Sequence, residues 1–170
     1  VTSPYNLRYL TNFTGTTGLA VITLDKAFFV TDFRYTEQAA AQAQGFEIVK
    51  NVGPIFDEVA KICNQEEVNA LAFEETQVSF ADYSILEDLL EETPLIPISG
   101  MIESLREVKD DQEVAIIEKA CAIADQGFGH VLKFIKPGMT EIEVANQLDF
   151  FMRSLGATSV SFDTIVASGL

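Results

Sequence analysis

Few residues in this chain of 170 have the type and spacing that chemistry needs. The single histidine, His130, sits on the flank of a long helical pattern. Position i+4 carries Phe134 rather than a second ligand, so the pattern reads as a structural or surface histidine. No Cys/His cluster has zinc spacing, and His-Glu-x-x-His is absent. Also absent are the glycine patterns of dinucleotide and phosphate loops and the Gly-x-Ser-x-Gly elbow. Glu141 and Glu143 fall where a helix begins, and the helix dipole favours acids there without any catalytic task. Asp163 stands alone in a strand-like run, and one carboxylate does not make a metal site. Two places remain. Asp32-Phe33-Arg34-Tyr35 offers an acid that can cap a helix and a guanidinium that can pair with an acid or reach a carboxylate ligand. Thr11 to Gly18 is a loop of glycines and threonines carrying one aromatic, Phe13, that reads as exposed.

The elements that must position these residues follow from periodicity. Val1-Thr2 reads as the tail of a strand, and Ser3-Pro4 starts a short helical turn carrying Leu7 and Leu10. Leu19 to Leu24 and Ala27 to Thr31 are β-branched and aromatic runs joined by an Asp25-Lys26 turn, a hairpin. Asp32 is placed to cap a helix over Phe33 to Gln44, with Gly45 as its stop. Phe46 to Val49, Ala70 to Phe73 and Leu95 to Ile98 read as further strands. Between them lie a helix opened by Gly53-Pro54 and another capped by Ser79 with Asp82. Strands alternating with helices predict an α/β class, a mixed β-sheet flanked by helices.

At Leu105 to Val114 the pattern changes. This highly charged stretch reads as a junction in which a new helix starts. Beyond it, Val114, Ile117, Cys121, Ala124, Phe128, Val131 and Ile135 share one face of a long helix. Thr140 with Glu143 is a capping box for a second helix, stopped by Gly156. Ser159 to Ala167 then reads as one strand. The expected organisation is a domain over residues 1–105 that lacks its start and the opening of a second over residues 106–170. Two helices and one strand do not bury each other's apolar faces, so the second part is expected to be truncated inside its sheet.

Composition narrows the partners. Net charge is −15 and 48% of residues are hydrophobic, enough for a core. So acidic a chain lacks the clustered Lys and Arg of nucleic-acid binders and is poorly suited to anionic membranes. Cys63 and Cys121, on apolar helical faces, read as buried free thiols. With no signal, transit or membrane-length apolar segment in the sequence, a cytoplasmic setting is expected.

Five segments, in order, resemble one family. Asn6-Leu7-Arg8-Tyr9-Leu10-Thr11-Asn12-Phe13-Thr14-Gly15 and Thr31-Asp32-Phe33-Arg34-Tyr35 look like the amino-terminal domain of Xaa-Pro dipeptidases (prolidases) and aminopeptidase P. Arg106-Glu107-Val108-Lys109 with Glu113 resembles that family's junction. Lys136 to Glu141 and Ser161 to Gly169 resemble the start of its α+β pita-bread catalytic domain. Asn12 departs from the family's usual glycine. The resemblance implies a metallo-exopeptidase that cleaves the bond before proline, or Xaa-Pro dipeptides. Such an enzyme uses two divalent metal ions (manganese, cobalt or zinc), is commonly a homodimer, and hydrolyses with a metal-bridged hydroxide. The family's ligands and catalytic histidines lie beyond Gly169, so no catalytic or metal residue maps here, and this chain alone is expected to be inactive and metal-free. The amino-terminal domain would gate the partner's catalytic mouth, with Phe13, Thr14 and Arg34 as candidate gating residues and a plain surface loop as the alternative. Phe162 and Ile165 are candidates for a substrate-pocket strand. Two other classes share the architecture: non-catalytic peptide- or protein-binding relatives, and creatinase-like amidinohydrolases.

Overall fold

The computed structural model describes residues 1–169 and divides into two compact units, one over Val1–Val108 and one from Lys109 onward. The first unit is built in the order α1 (Pro4–Thr11), β1 (Leu19–Ile22), β2 (Ala27–Thr31), α2 (Thr36–Gln42), β3 (Glu47–Lys50), α3 (Ile55–Gln65), β4 (Leu71–Glu74), α4 (Phe80–Leu89), β5 (Leu95–Ile98) and α5 (Met101–Glu107). Its α/β class is the one that alternation predicts. The strands form two groups: a mixed sheet β1-β2-β3 and a parallel pair β4-β5. β1 and β2 are antiparallel, with Ala20 opposite Phe29, and β2 runs parallel to β3. Pro97 lies in β5, bonded only to β4 among the described strands, where its missing N–H costs no ladder bond.

The period-2 alternation of β1 and β2 sends side chains to two separate cores. Leu19, Val21, Phe28 and Val30 meet Val59, Ile62 and Cys63 of α3 and Leu86 of α4. Ala20 and Phe29 point the other way, into a core with Leu7 of α1, Phe13, and Ala39 and Ala43 around α2. Burial raises the pKa of the Cys63 thiol.

The second unit contains α6 (Asp111–Phe134) and α7 (Glu141–Ser154). Both open with a capping box. Asp110 accepts from Glu113 N at 2.8 Å and Thr140 from Glu143 N at 3.4 Å, and each glutamate carboxylate accepts from the cap's own backbone N–H. The helices cross where α6 has no side chain: a Cβ on Gly127 would stand 2.9 Å from Met152 Cγ and 3.1 Å from Leu148 Cδ1.

Several local expectations change. Asp32 does not cap α2; the cap position belongs to Tyr35, without a side-chain bond, because the Asp32 carboxylate is taken by Arg34. The charged junction begins inside a helix, α5, that the charge pattern hides. Ser159 to Ala167 is not a strand: among the described residues it has no ladder partner, and this part of the chain instead lies against α7 through Thr164 Oγ1 to Asp149 Oδ1 (2.6 Å) and, just past the run, Ser168 N to Glu141 Oε1 (2.8 Å). Cys121 is exposed rather than buried, because α7 covers only part of the α6 stripe. Asn12 has φ 56°, in the left-handed region, and ends α1 with its N–H on Arg8 O. Asparagine tolerates that conformation better than most non-glycine residues, so it can stand where a glycine is usual.

Candidate functional site

The gating candidates meet at one end of the first unit, where the loop after α1 lies against the turn into α2. Phe13 corrects the sequence reading: it is only 4% exposed, with its ring 4.7 Å from Phe29 and 5.7 Å, edge-on, from Tyr35. The loop's glycines explain this, since they let backbone lie directly on those rings. A Cβ on Gly15 would stand 2.3 Å from Phe13 Cζ, and one on Gly18 would stand 2.5 Å from Phe29 Cζ. Phe13 therefore pins the loop from below, and the loop shows solvent its polar groups instead. Thr14 is exposed; its N–H donates to Gln42 Oε1 at 2.9 Å, and its hydroxyl accepts from Gln38 Nε2 at 2.8 Å. Thr16 Oγ1 lies 2.8 Å from the Tyr35 hydroxyl, and Thr31 Oγ1 donates to Thr17 O at 2.6 Å.

Arg34 is fixed from three sides. Its Nε and Nη2 donate to the two oxygens of Asp32 at 3.0 and 2.6 Å, Nη2 also reaches Thr17 Oγ1 at 3.2 Å, and the guanidinium stands 5.3 Å from the Tyr35 ring centre. The hydrogen bonds from Arg34 hold the Asp32 carboxyl below its usual pKa, and Asp32 raises that of Arg34 in turn. A planar fork held this way keeps one outward edge and a permanent charge for an anionic group. The arrangement suits carboxylate capture and gives no acid, base or nucleophile. Tyr35 is the member that sequence reasoning missed. Its signal was adjacency to Arg34 and an aromatic at the helix cap.

A second polar cluster is buried within the same unit. Asn6, fully buried, donates from Nδ2 to Glu74 Oε1 and Glu103 Oε1, both at 2.6 Å, and accepts from Arg106 Nη1 at 2.9 Å. Glu74 Oε2 takes the backbone N–H groups of Thr2 and Ser3 at 2.5 and 2.8 Å. Burial alone would raise the Glu74 pKa, but the bonds from Asn6, Ser3 and Thr2 outweigh it and hold the carboxyl below its ordinary value. This cluster ties α1, β4 and α5 together. An asparagine inside an apolar helical stripe was its only trace in the sequence.

In the second unit, Phe162 and Ile165 are exposed, on extended chain rather than a strand. An open cavity of about 360 Å³ lies between α6 and the turn after α7, lined by Ile116, Ala120, Ile123, Met152 and Val160 among others. His130 is stacked on Phe151 at 4.0 Å and 5° and on Phe134 at 6.0 Å, with Gln147 Nε2 2.9 Å from its Nε2. Those contacts make it a packing residue between the two helices. Among the described residues no three His, Cys, Asp or Glu side chains converge as metal ligands would. The residues present therefore do not fit a divalent-metal pair. No described helix is long and apolar enough to cross a membrane.

A mixed α/β unit with a buried polar tie and a pinned Gly/Thr loop, followed by a capped helical pair, defines a two-part architecture of the prolidase and aminopeptidase P type. Residues 1–108 match the Creatinase/Prolidase N-terminal domain, and the chain belongs to that family; residues 115–170 match Metallopeptidase family M24. Over its full 170 residues it is 47% identical to the uncharacterized peptidase YqhT of Bacillus subtilis, covering 48% of that protein. It is 32% identical to the Xaa-Pro dipeptidase of Pyrococcus furiosus, over 99% of this chain and 47% of the relative. The solved Xaa-Pro dipeptidase from Bacillus anthracis superposes with a TM-score of 0.92 at 48% identity, over 95% of this chain and 45% of that one. The chain thus spans about half the length of the curated relatives it matches.

Proposed function

We propose that this chain is the amino-terminal portion of a metal-dependent Xaa-Pro peptidase, which hydrolyses the peptide bond before proline in dipeptides or longer peptides. The observation that carries the reading is 32% identity to an Xaa-Pro dipeptidase across 99% of the chain, through both units. In this reading the first unit is a gating and dimerisation domain in a cytoplasmic homodimer. The parent protein holds two divalent metal ions, with manganese, cobalt and zinc as candidates. In this reading the ligands of those ions are supplied by other residues of the parent protein.

What this chain's own residues contribute is position and charge. Arg34, locked by Asp32 and Tyr35, offers its free edge to a substrate carboxylate, and Thr14 offers a hydroxyl beside the same loop. Phe13 anchors that loop and does not touch substrate. Phe162 and Ile165, exposed in the second unit, are apolar groups of the kind a proline ring packs against.

The test uses the full-length parent protein, loaded with manganese, and the dipeptide Leu-Pro. Hydrolysis releasing free proline supports the reading. Tight peptide binding without hydrolysis would assign a binding module instead, and hydrolysis of creatine but not Leu-Pro would assign an amidinohydrolase. Within an active parent, Arg34→Ala is expected to lower kcat/KM for Leu-Pro by about tenfold, ~1.4 kcal/mol of transition-state stabilisation, mostly through KM. An unchanged kcat/KM would remove Arg34 from the substrate path.

A further inference from the structure

The loop between α1 and β1 holds a hydroxyl whose direction of donation is fixed by its neighbours. Gln38 and Gln42 stand four residues apart in α2, on one face of the helix, and both side-chain amides lie against Thr14. A backbone N–H can only donate. The 2.9 Å bond from Thr14 N therefore identifies the Gln42 atom it meets as oxygen, Oε1. Gln38 approaches that same oxygen at 3.2 Å and must do so with its nitrogen, Nε2. With both amides oriented, Thr14 Oγ1 receives two donors, Gln38 Nε2 at 2.8 Å and Gln42 Nε2 at 3.2 Å.

A hydroxyl oxygen has two acceptor positions, and here both are taken. What remains is the O–H, a donor. Its contact within the protein is Gln42 Oε1 at 3.4 Å, an oxygen that already accepts two N–H groups. That distance is long for an O–H···O bond, which runs about 2.5–3.0 Å. Accepting two N–H bonds also polarises the hydroxyl and strengthens it as a donor. Thr14 is exposed, so the O–H can turn outward, whereas Gln38 and Gln42 are half-buried.

We propose that Thr14 is a specificity-determining donor and that Gln38 and Gln42 are the residues that position it. Its hydroxyl donates to a substrate oxygen that carries no hydrogen, the carboxylate or a carbonyl of an Xaa-Pro peptide. The assignment rests on the peptidase reading above, and adds the direction of the bond and the two residues that set it. The substrate's chemistry fits a donor here. Proline in second position has no peptide N–H, so an Xaa-Pro dipeptide offers only oxygens at and beyond its peptide bond. Arg34, on the turn into the same helix, likewise has donors and no acceptor.

The experiment uses the full-length parent loaded with manganese and steady-state kinetics on Leu-Pro. Tm and backbone hydrogen exchange at residue 14 serve as structural controls. Thr14→Val keeps the side chain's shape and removes the O–H. It is expected to raise KM roughly fivefold with kcat unchanged, and Thr14→Ser to keep KM near the original value. Gln38→Glu replaces a donor by an acceptor. The Thr14 hydroxyl then donates inward to the introduced carboxylate, so the loop stays tied and exchange at the Thr14 amide is unchanged, yet KM rises as it does for Thr14→Val. The double variant should be no worse than Thr14→Val alone, because both changes act on one O–H. Independent effects, such as charge repulsion, would multiply. Leu-Pro amide separates the two acceptors: a Thr14→Val penalty that vanishes with it assigns the carboxylate, and one that persists assigns a carbonyl. An active parent whose KM is unmoved by Thr14→Val overturns the proposal and leaves the peptidase reading standing. Penalties that multiply in the double variant overturn the positioning role of Gln38. A parent that does not hydrolyse Leu-Pro overturns the peptidase reading itself and this assignment with it.

Discussion

At the scale of single residues, burial decides what Phe13 and Glu74 do. Phe13 is packed between Phe29 and Tyr35 and roofed by Gly15. Phe13→Ala is therefore expected to cost about 3–5 kcal/mol, seen as a lower midpoint in urea denaturation. A loss under ~1 kcal/mol would mean that the ring is not part of the core. The Glu74 carboxyl is a pH element. Its folded pKa lies below the unfolded one, so its contribution is full above the ordinary carboxylate range, ~4.3, and drains away as pH falls through the depressed value. Replacing it by Gln should flatten the acid limb of Tm against pH while leaving the alkaline limb alone. Asn6→Ala removes the shared donor of Glu74 and Glu103 and the acceptor of Arg106. A loss of about 1–3 kcal/mol for each buried polar group left unpaired is expected.

Among the elements, the α6/α7 pair shows two effects in competition. Gly127 costs helix propensity, about 1 kcal/mol relative to alanine. Yet its missing Cβ is what lets α7 approach, with Met152 and Leu148 in the space. Gly127→Ala is expected to be near neutral: the near atoms are ends of flexible side chains that can shift, and the propensity gain offsets the crowding. Gly127→Val adds bulk that cannot shift with them and should destabilise by roughly 1–3 kcal/mol. Thermal melts of the two variants, read by helix circular dichroism, separate these outcomes. Ser159 to Ala167 has the composition of a strand but lies as extended chain along α7, because strand structure requires a neighbour's backbone.

For the whole molecule, the difference between the units is one of coverage. Residues 1–108 bury cores on both sides of the β1–β2 pair, whereas α6 and α7 leave Ile116, Phe128, Leu132, Ile142 and Phe150 exposed. Residues 1–108 expressed alone should therefore unfold cooperatively and bind little of the apolar dye ANS. Residues 109–170 alone should bind ANS strongly and melt without a sharp transition. A cooperative, monomeric, dye-silent 109–170 fragment would contradict this. The net charge of −15 is dispersed, and the ion pairs Lys26–Glu66, Arg34–Asp32 and Lys61–Glu58 are surface contacts of small weight.

Local signals carried much of this protein. Capping pairs such as Thr140 with Glu143, the Asp25-Lys26 turn and the alternation of β1 and β2 are interactions between near neighbours, so they are written in the sequence and recur in the structure. The resemblance of residues 6–15 and 31–35 to prolidases also rested on contiguous residues, and the family match agrees with it. Two things were decided only by tertiary structure. Phe13 is buried because Phe29 and Tyr35, distant in the chain, meet it beneath a glycine. Asn6 and Glu74, separated by 68 positions, become one buried unit only when α1 docks beside β4. Each depends on partners brought together by folding, and no spacing along the chain encodes a contact of that kind.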